Sequence, residues 1–244
     1  MRTERATVRR FLLAIAFAAV LAHGPAAAFP PYRSTDAGTA EPWTLEARLG
    51  LFRIERERSE TEYLSPLLRA NLGLPPNLEV VSEFQYRADE EEVDDAALGL
   101  KWIPLLGEVS AGVETLALLP NAEGNGPGVE SLLLVTGRHD RLRVHVNAGG
   151  FYDPRPEDTE SGWKAGSILE IRFDRFRPGL EIFAKDSNAR EAQVIAGPGL
   201  IFDAGAFDVR AGIHFGLTRS AVDSSSSLWL TTAVPLGTRP SEER

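Results

Sequence analysis

The sequence predicts an all-β fold: a single twelve-stranded antiparallel transmembrane β-barrel of the outer-membrane type. Three observations carry that expectation. Apolar and polar residues alternate strictly over most of the chain, a period of two rather than 3.6. Long and short connections alternate between the strands. The formal net charge of −9 is concentrated in the long ones.

The first element is an export signal. Arg9 and Arg10 precede an apolar run from Phe11 to Leu21, and Ala26-Ala27-Ala28 offers a small-residue cleavage site before Phe29. That run is too short to span a bilayer as a helix, which needs ~20 residues, and no later segment approaches that length. Removing residues 1–28, with four arginines and Glu4, takes the net charge from −9 to about −12. A chain so acidic has no electrostatic footprint for nucleic acid. Without cysteine it has neither disulfides nor thiolate metal sites.

After residues 29–43, expected as a periplasmic N-terminal segment, the barrel is expected over 44–234 and a C-terminal tail over 235–244. Leu45, Ala47, Leu49 and Leu51 alternate with Glu46 and Arg48. Leu142, Val144, Val146 and Ala148 alternate with Arg141, Arg143, His145 and Asn147. Trp163, Ala165, Leu169 and Ile171 alternate with Lys164, Gly166, Glu170 and Arg172. Phe207, Val209, Ala211, Ile213 and Phe215 alternate with Asp208, Arg210, Gly212 and His214. Cutting at turn residues yields strands at 44–54, 63–72, 78–86, 96–103, 108–118, 129–136, 141–150, 161–173, 180–184, 192–202, 207–217 and 225–234. Most approach the ~9–11 residues that a tilted strand needs to cross a bilayer.

The six long connections are expected at 55–62, 87–95, 119–128, 153–160, 185–191 and 218–224, and together they carry about −11. The five short ones sum to zero. This is the rim asymmetry of an outer-membrane barrel with both termini in the periplasm. Aromatic residues near strand ends, among them Trp43, Tyr63, Trp102, Tyr152, Trp163, Phe173 and Phe207, are candidates for interfacial girdles.

The stretch Pro30-Pro31-Tyr32-Arg33-Ser34-Thr35-Asp36-Ala37-Gly38-Thr39-Ala40-Glu41, leading into Leu45-Glu46-Ala47-Arg48-Leu49-Gly50, resembles the opening of a family of bacterial outer-membrane β-barrel transporters, the meta-pathway phenol-degradation family. Ala37 follows Asp36 directly where the family has a second Asp, and Pro42 stands where Gly is common. The sharp part of the resemblance covers roughly twenty residues. It implies a porin-like or transporter-like passage for small solutes, aromatic or hydrophobic ones among them. It brings no catalytic residues and no cofactor.

The face pattern assigns a candidate pore lining of Arg48, Arg69, Glu83, Lys101, Glu114, Arg141, Arg143, His145, Glu170, Arg172, Arg210 and His214, with Glu46, Glu79, Lys164 and Glu181 beside them. Such a lining either selects solutes by field and size or fills a small barrel with mutual salt bridges. His145 and His214 raise the question of a Ser-His hydrolase, but no Gly-x-Ser-x-Gly elbow is present and no enzyme is expected. Asp89-Glu90-Glu91-Glu92 with Asp94 and Asp95 lacks the spacing of a calcium loop and is expected as a solvated loop beside lipopolysaccharide phosphates, where divalent cations bridge. Gly124 to Gly128 lacks the Lys-Ser/Thr of a phosphate loop. Outer-membrane lipids, lipopolysaccharide and a small solute are the expected partners. The competing readings are a soluble periplasmic β protein binding a small ligand and a barrel that conducts nothing.

Overall fold

The computed structural model describes residues 30–87, 92–120, 124–156 and 158–236. The export signal, the acidic run at 89–91 and the tail beyond Leu236 lie outside the described residues. Twelve antiparallel strands follow one another as a meander: β1 (Thr44–Glu57), β2 (Glu60–Leu74), β3 (Leu78–Arg87), β4 (Glu92–Leu105), β5 (Val109–Leu118), β6 (Gly128–His139), β7 (Leu142–Asp153), β8 (Glu160–Ile171), β9 (Phe176–Ser187), β10 (Gln193–Asp203), β11 (Asp208–Gly216) and β12 (Ser224–Pro235). The sheet closes on itself where β1 pairs with β12, from Thr44 opposite Pro235 to Arg56 opposite Ser224. Closure leaves no edge strand, so the backbone donors and acceptors of the described wall find partners inside the sheet except at its bulges. Among the described residues no helix is long and apolar enough to cross a membrane. Crossing falls to the strands.

Alternation decides the two faces. Leu98, Leu100, Trp102, Leu133, Val135, Val146, Leu180, Ile182, Ile213 and Phe215 all point outward and are exposed, Leu133 to 67%. The neighbours of these residues in sequence, among them Lys101, Leu134, His145, Glu181 and His214, point inward and are buried. A continuous apolar belt of this extent would be an aggregation surface in water, whereas hydrocarbon accepts it. Trp43, Trp102, Phe173 and Phe207 stand at the short-turn ends of the strands, and Tyr63, Tyr152 and Trp163 at the long-connection ends, all exposed. Phe176 and Phe202 pack with ring centroids 4.9 Å apart at the short-turn end. Twelve strands at ~4.7 Å spacing and ~40° tilt enclose a backbone cylinder roughly 24 Å across.

Several elements differ from expectation. The loop expected at 55–62 is a tight turn at Arg58 and Ser59, with Arg58 at φ 53°. Glu55, Arg56 and Glu57 pair with Glu62, Thr61 and Glu60, because charge does not stop a ladder that continues into water. The strand expected at 180–184 runs from Phe176 to Ser187. Pro178 and Gly179, which read as turn residues, sit within the ladder opposite Leu200 and Gly199. A bulge between Gly50 and Phe52 reverses the face parity of β1, so Arg53 and Glu55 point inward beyond it. Trp229 also turns inward, packed with Leu64 and Leu67.

Candidate functional site

The lumen divides into two levels. In the short-turn half, a segment preceding β1 runs inside the barrel. Residues 30–41, part of the N-terminal segment expected at 29–43, arc along the inner wall from β2 round to β11. Wall side chains capture main-chain atoms of the segment. The Glu181 carboxylate (β9) accepts the N–H of Arg33 at 2.8 Å and of Ser34 at 2.7 Å. Asn147 (β7) brackets Thr35, accepting its N–H at 2.6 Å and donating to its C=O at 2.8 Å. Thr136 (β6) accepts the N–H of Ala37 at 2.8 Å, and Glu79 (β3) that of Ala40 at 2.7 Å. Arg210 (β11) donates to the C=O of Pro30 at 3.2 Å. Buried backbone donors must be satisfied, and here carboxylates and amides do what a neighbouring strand would do.

The wall is also shaped to admit the segment. A Cβ on Gly199 would stand 2.5 Å from the Tyr32 ring, and one on Gly212 would stand 2.8 Å from Pro31. Gly179 and Gly166 are likewise overlain by the Tyr32 hydroxyl and the Ser34 side chain, and Gly73 by the carbonyls of Ala40 and Glu41. Tyr32 packs against Ile168 and Ile201, and Ala37 against Ile103 and Leu134. Burial first, then the neighbouring Glu170 and Glu181 charges, push the Tyr32 hydroxyl well above its usual pKa, so it stays protonated.

Around this layer the charged wall is buried. Arg48 lies 2.7 Å from Glu46, and Lys101 lies 3.3 Å from Asp36. Arg69 pairs with Glu114 at 2.8 Å and also with Glu83. Arg210 and Arg177 share Asp208 at 3.0 and 2.9 Å. His214 Nε2 lies 2.9 Å from Glu181, and His145 Nδ1 lies 2.9 Å from Thr136 Oγ1. Charges buried this deeply hold only while each is paired.

The upper level, toward the long connections, is a cavity of about 320 Å³. Tyr32 and Arg33 form its floor, with Arg33 paired to Glu55. Lys164 and Lys185 stand on one wall, 5.3 and 4.7 Å from the centroid of the Phe151 ring, and pair with Glu130 and Glu160. Glu83, Asp95 and Glu114 occupy another wall, and Leu116, Leu118, Leu132, Phe183 and Ile195 lie between. Outside the strands, Arg155 is held by Asp153 and, at 2.5 Å, by Asp95.

Ten of the twelve predicted lining residues point into the lumen: Arg48, Arg69, Glu83, Lys101, Glu114, Arg143, His145, Glu170, Arg210 and His214. Arg141 and Arg172 do not. They sit exposed in the β6–β7 and β8–β9 turns, because the strands stop one residue short of the alternation that suggested them. Glu130, Asn147, Thr136, Arg177 and Lys185 are lumen residues missing from the predicted set. Parity would have found Asn147, which lies two residues from His145. Among the described residues no group of acidic and histidine side chains could hold a metal.

Fold and site together define a class: a closed, lipid-facing β-barrel of the outer-membrane type with a charged interior. No protein-family model matches the chain, and neither does any curated protein sequence. Among solved structures it is similar to the NanC porin, with a TM-score of 0.61, 8% identity, and 77% of this chain and 98% of that chain covered. It is also similar to the KdgM porin, with a TM-score of 0.56, 10% identity, and coverage of 78% and 98%. At these identities the likeness is one of fold.

Proposed function

We propose that the chain is a non-enzymatic, porin-like passage of the outer membrane for small amphiphilic solutes, including aromatic ones that carry a charged or hydroxyl group. The single observation that carries this reading is the cavity of about 320 Å³ inside an apolar-belted barrel. Its lining mixes paired charges with Phe183, Leu116, Leu118 and Leu132. Such walls offer a ring or short alkyl group an apolar surface and its polar group a choice of either sign. The resemblance of residues 30–50 to the phenol-degradation transporters supports the same solute class, and the porin folds support the passage. His145 and His214 are both buried in the lumen wall, against Thr136 and Glu181. Export, insertion among outer-membrane lipids and contact of the acidic connections with lipopolysaccharide through divalent cations belong to this reading.

Swelling of proteoliposomes in iso-osmotic benzenesulfonate, against sucrose, tests it. The experiment uses the full chain and a chain lacking residues 30–41, since that segment lies in the lumen. Faster swelling than in protein-free liposomes is expected for at least the shortened chain, with benzenesulfonate ahead of sucrose. Swelling no faster than in protein-free liposomes for both chains would refute the passage. A second reading, a barrel that conducts nothing, draws on the close filling of the short-turn half, where Glu79, Glu170, Glu181 and Arg210 are 0% exposed. The same experiment separates the two.

A further inference from the structure

We infer that residues 30–41 are a removable gate of this passage, seated in a groove that the lumen wall provides for them; the inference rests on the passage reading. The grip is mostly on the main chain, with the ion pairs Lys101–Asp36 and Arg33–Glu55 beside it. Glu181, Asn147, Thr136, Glu79 and Arg210, from five different strands, bind backbone N–H and C=O groups rather than side chains. The segment thus lies on the wall as an added strand would, but held by side-chain groups that water can replace one for one. Removing it exposes carboxylates, an amide, a hydroxyl and a guanidinium, all of which hydrate readily. A permanent core would be closed by apolar packing instead. Here Tyr32 and Ala37 each pack against two buried wall residues, and the other apolar contacts of the segment are those of Pro31 and Ala40.

The groove is cut for this occupant. Gly166, Gly179, Gly199 and Gly212 lie on four consecutive strands, β8 to β11, each beneath residues 31–34, and their inward Cβ positions are filled by the segment itself. A barrel in which this arc was empty would have no steric need for four glycines there. The bend that sends the segment inward is made at Trp43, with φ 61°. The Trp43 N–H donates to the Gly73 carbonyl at 2.8 Å and its C=O accepts from the Leu236 N–H at 2.8 Å, so main-chain bonds to the wall anchor the point from which the segment enters the lumen. Above the segment lies the cavity, with Tyr32 and Arg33 as its floor. Moving residues 30–41 opens that floor toward the short-turn end.

Planar-bilayer recording of three proteins tests the gate. The first is the full chain and the second is a chain lacking residues 30–41. The third is the S34C/G166C double variant, the chain otherwise having no cysteine. A Cβ at Gly166 stands 3.3 Å from Ser34 Cβ, close to the ~3.5–4.5 Å that a disulfide spans. The shortened chain should pass time-averaged current roughly tenfold or more above the full chain. A peptide of sequence Pro30–Glu41, but not its scrambled version, should reduce that current in a dose-dependent way. The oxidised double variant should be silent and, on reduction, should conduct at least as well as the full chain, since a Cβ at position 166 crowds the seated segment. Equal currents from the full and shortened chains, together with an oxidised variant that conducts, would overturn the gate and leave the passage standing. No current from any of the three would overturn the passage and the gate with it. Heat-modifiable gel migration establishes that each barrel has folded. If the shortened chain does not fold, current that differs between the oxidised and reduced double variant supports the gate, and equal current overturns it.

Discussion

Glu181→Gln should loosen the lumen segment while leaving the barrel intact. The Glu181 carboxylate is 0% exposed and accepts two backbone N–H groups, from Arg33 at 2.8 Å and Ser34 at 2.7 Å, with His214 Nε2 at 2.9 Å. An amide of the same shape keeps one acceptor oxygen and turns an NH2 group toward the other donor. One charge-assisted bond is lost outright and the second becomes neutral. At about 1.5–3 kcal/mol for a bond to a charged group and about 1 for a neutral one, the docked state loses about 2–5 kcal/mol. At 1.36 kcal/mol per tenfold, the undocked population rises roughly thirtyfold to several thousandfold. The assay places a single cysteine at Ser34, which is 2% exposed when docked, and follows its labelling by a membrane-impermeant maleimide. Labelling in the Glu181→Gln background should accelerate by that factor, since the rate tracks the undocked fraction. Unchanged labelling, with the barrel still heat-modifiable, would refute the account of Glu181 as the main clasp.

Three further substitutions separate the wall from its occupant and the lipid face from the lumen. Gly199→Ala brings a Cβ to 2.5 Å of the Tyr32 ring and should speed labelling at Ser34→Cys while leaving heat-modifiability unchanged. Gly197→Ala, two residues away, crowds the backbone of Ile213 and His214 and should lower the unfolding temperature of the barrel itself. Leu133→Arg, on the most exposed apolar position of β6, should destabilise the protein by about 2–4 kcal/mol in urea titrations performed in lipid vesicles. A loss below about 1 kcal/mol there would place Leu133 away from hydrocarbon.

The barrel was legible because its determinants are local. A two-residue alternation such as Leu142-Arg143-Val144-His145 sets both faces at once, and most strand positions and ten lining residues follow from it. Alternation does not report where a strand ends, which is why Arg141 and Arg172 read as lumen residues and sit in turns. It also fails at a bulge, as at Gly50–Phe52, where one extra residue moves Arg53 and Glu55 inward. The occupied lumen was the larger surprise. Residues 30–41 have no periodicity of their own, and every contact that seats them is made to a residue far away in sequence, Glu181 to Ser34 across 147 positions. One signal was present in retrospect: the inward faces of β8 to β11 carry Gly166, Gly179, Gly199 and Gly212 where an unoccupied wall would carry side chains.

The central claim, a wall with hydrocarbon outside and polar groups inside, is tested most directly by quenching with brominated lipids. The chain has four tryptophans. Trp43, Trp102 and Trp163 are about half exposed on the outer surface, and Trp229 is 3% exposed and points inward. In single-tryptophan variants reconstituted into brominated vesicles, Trp102 and Trp163 should be strongly quenched and Trp229 spared. Quenching of Trp229 to the same degree, or of none of the four, would contradict the barrel's inside and outside as assigned here.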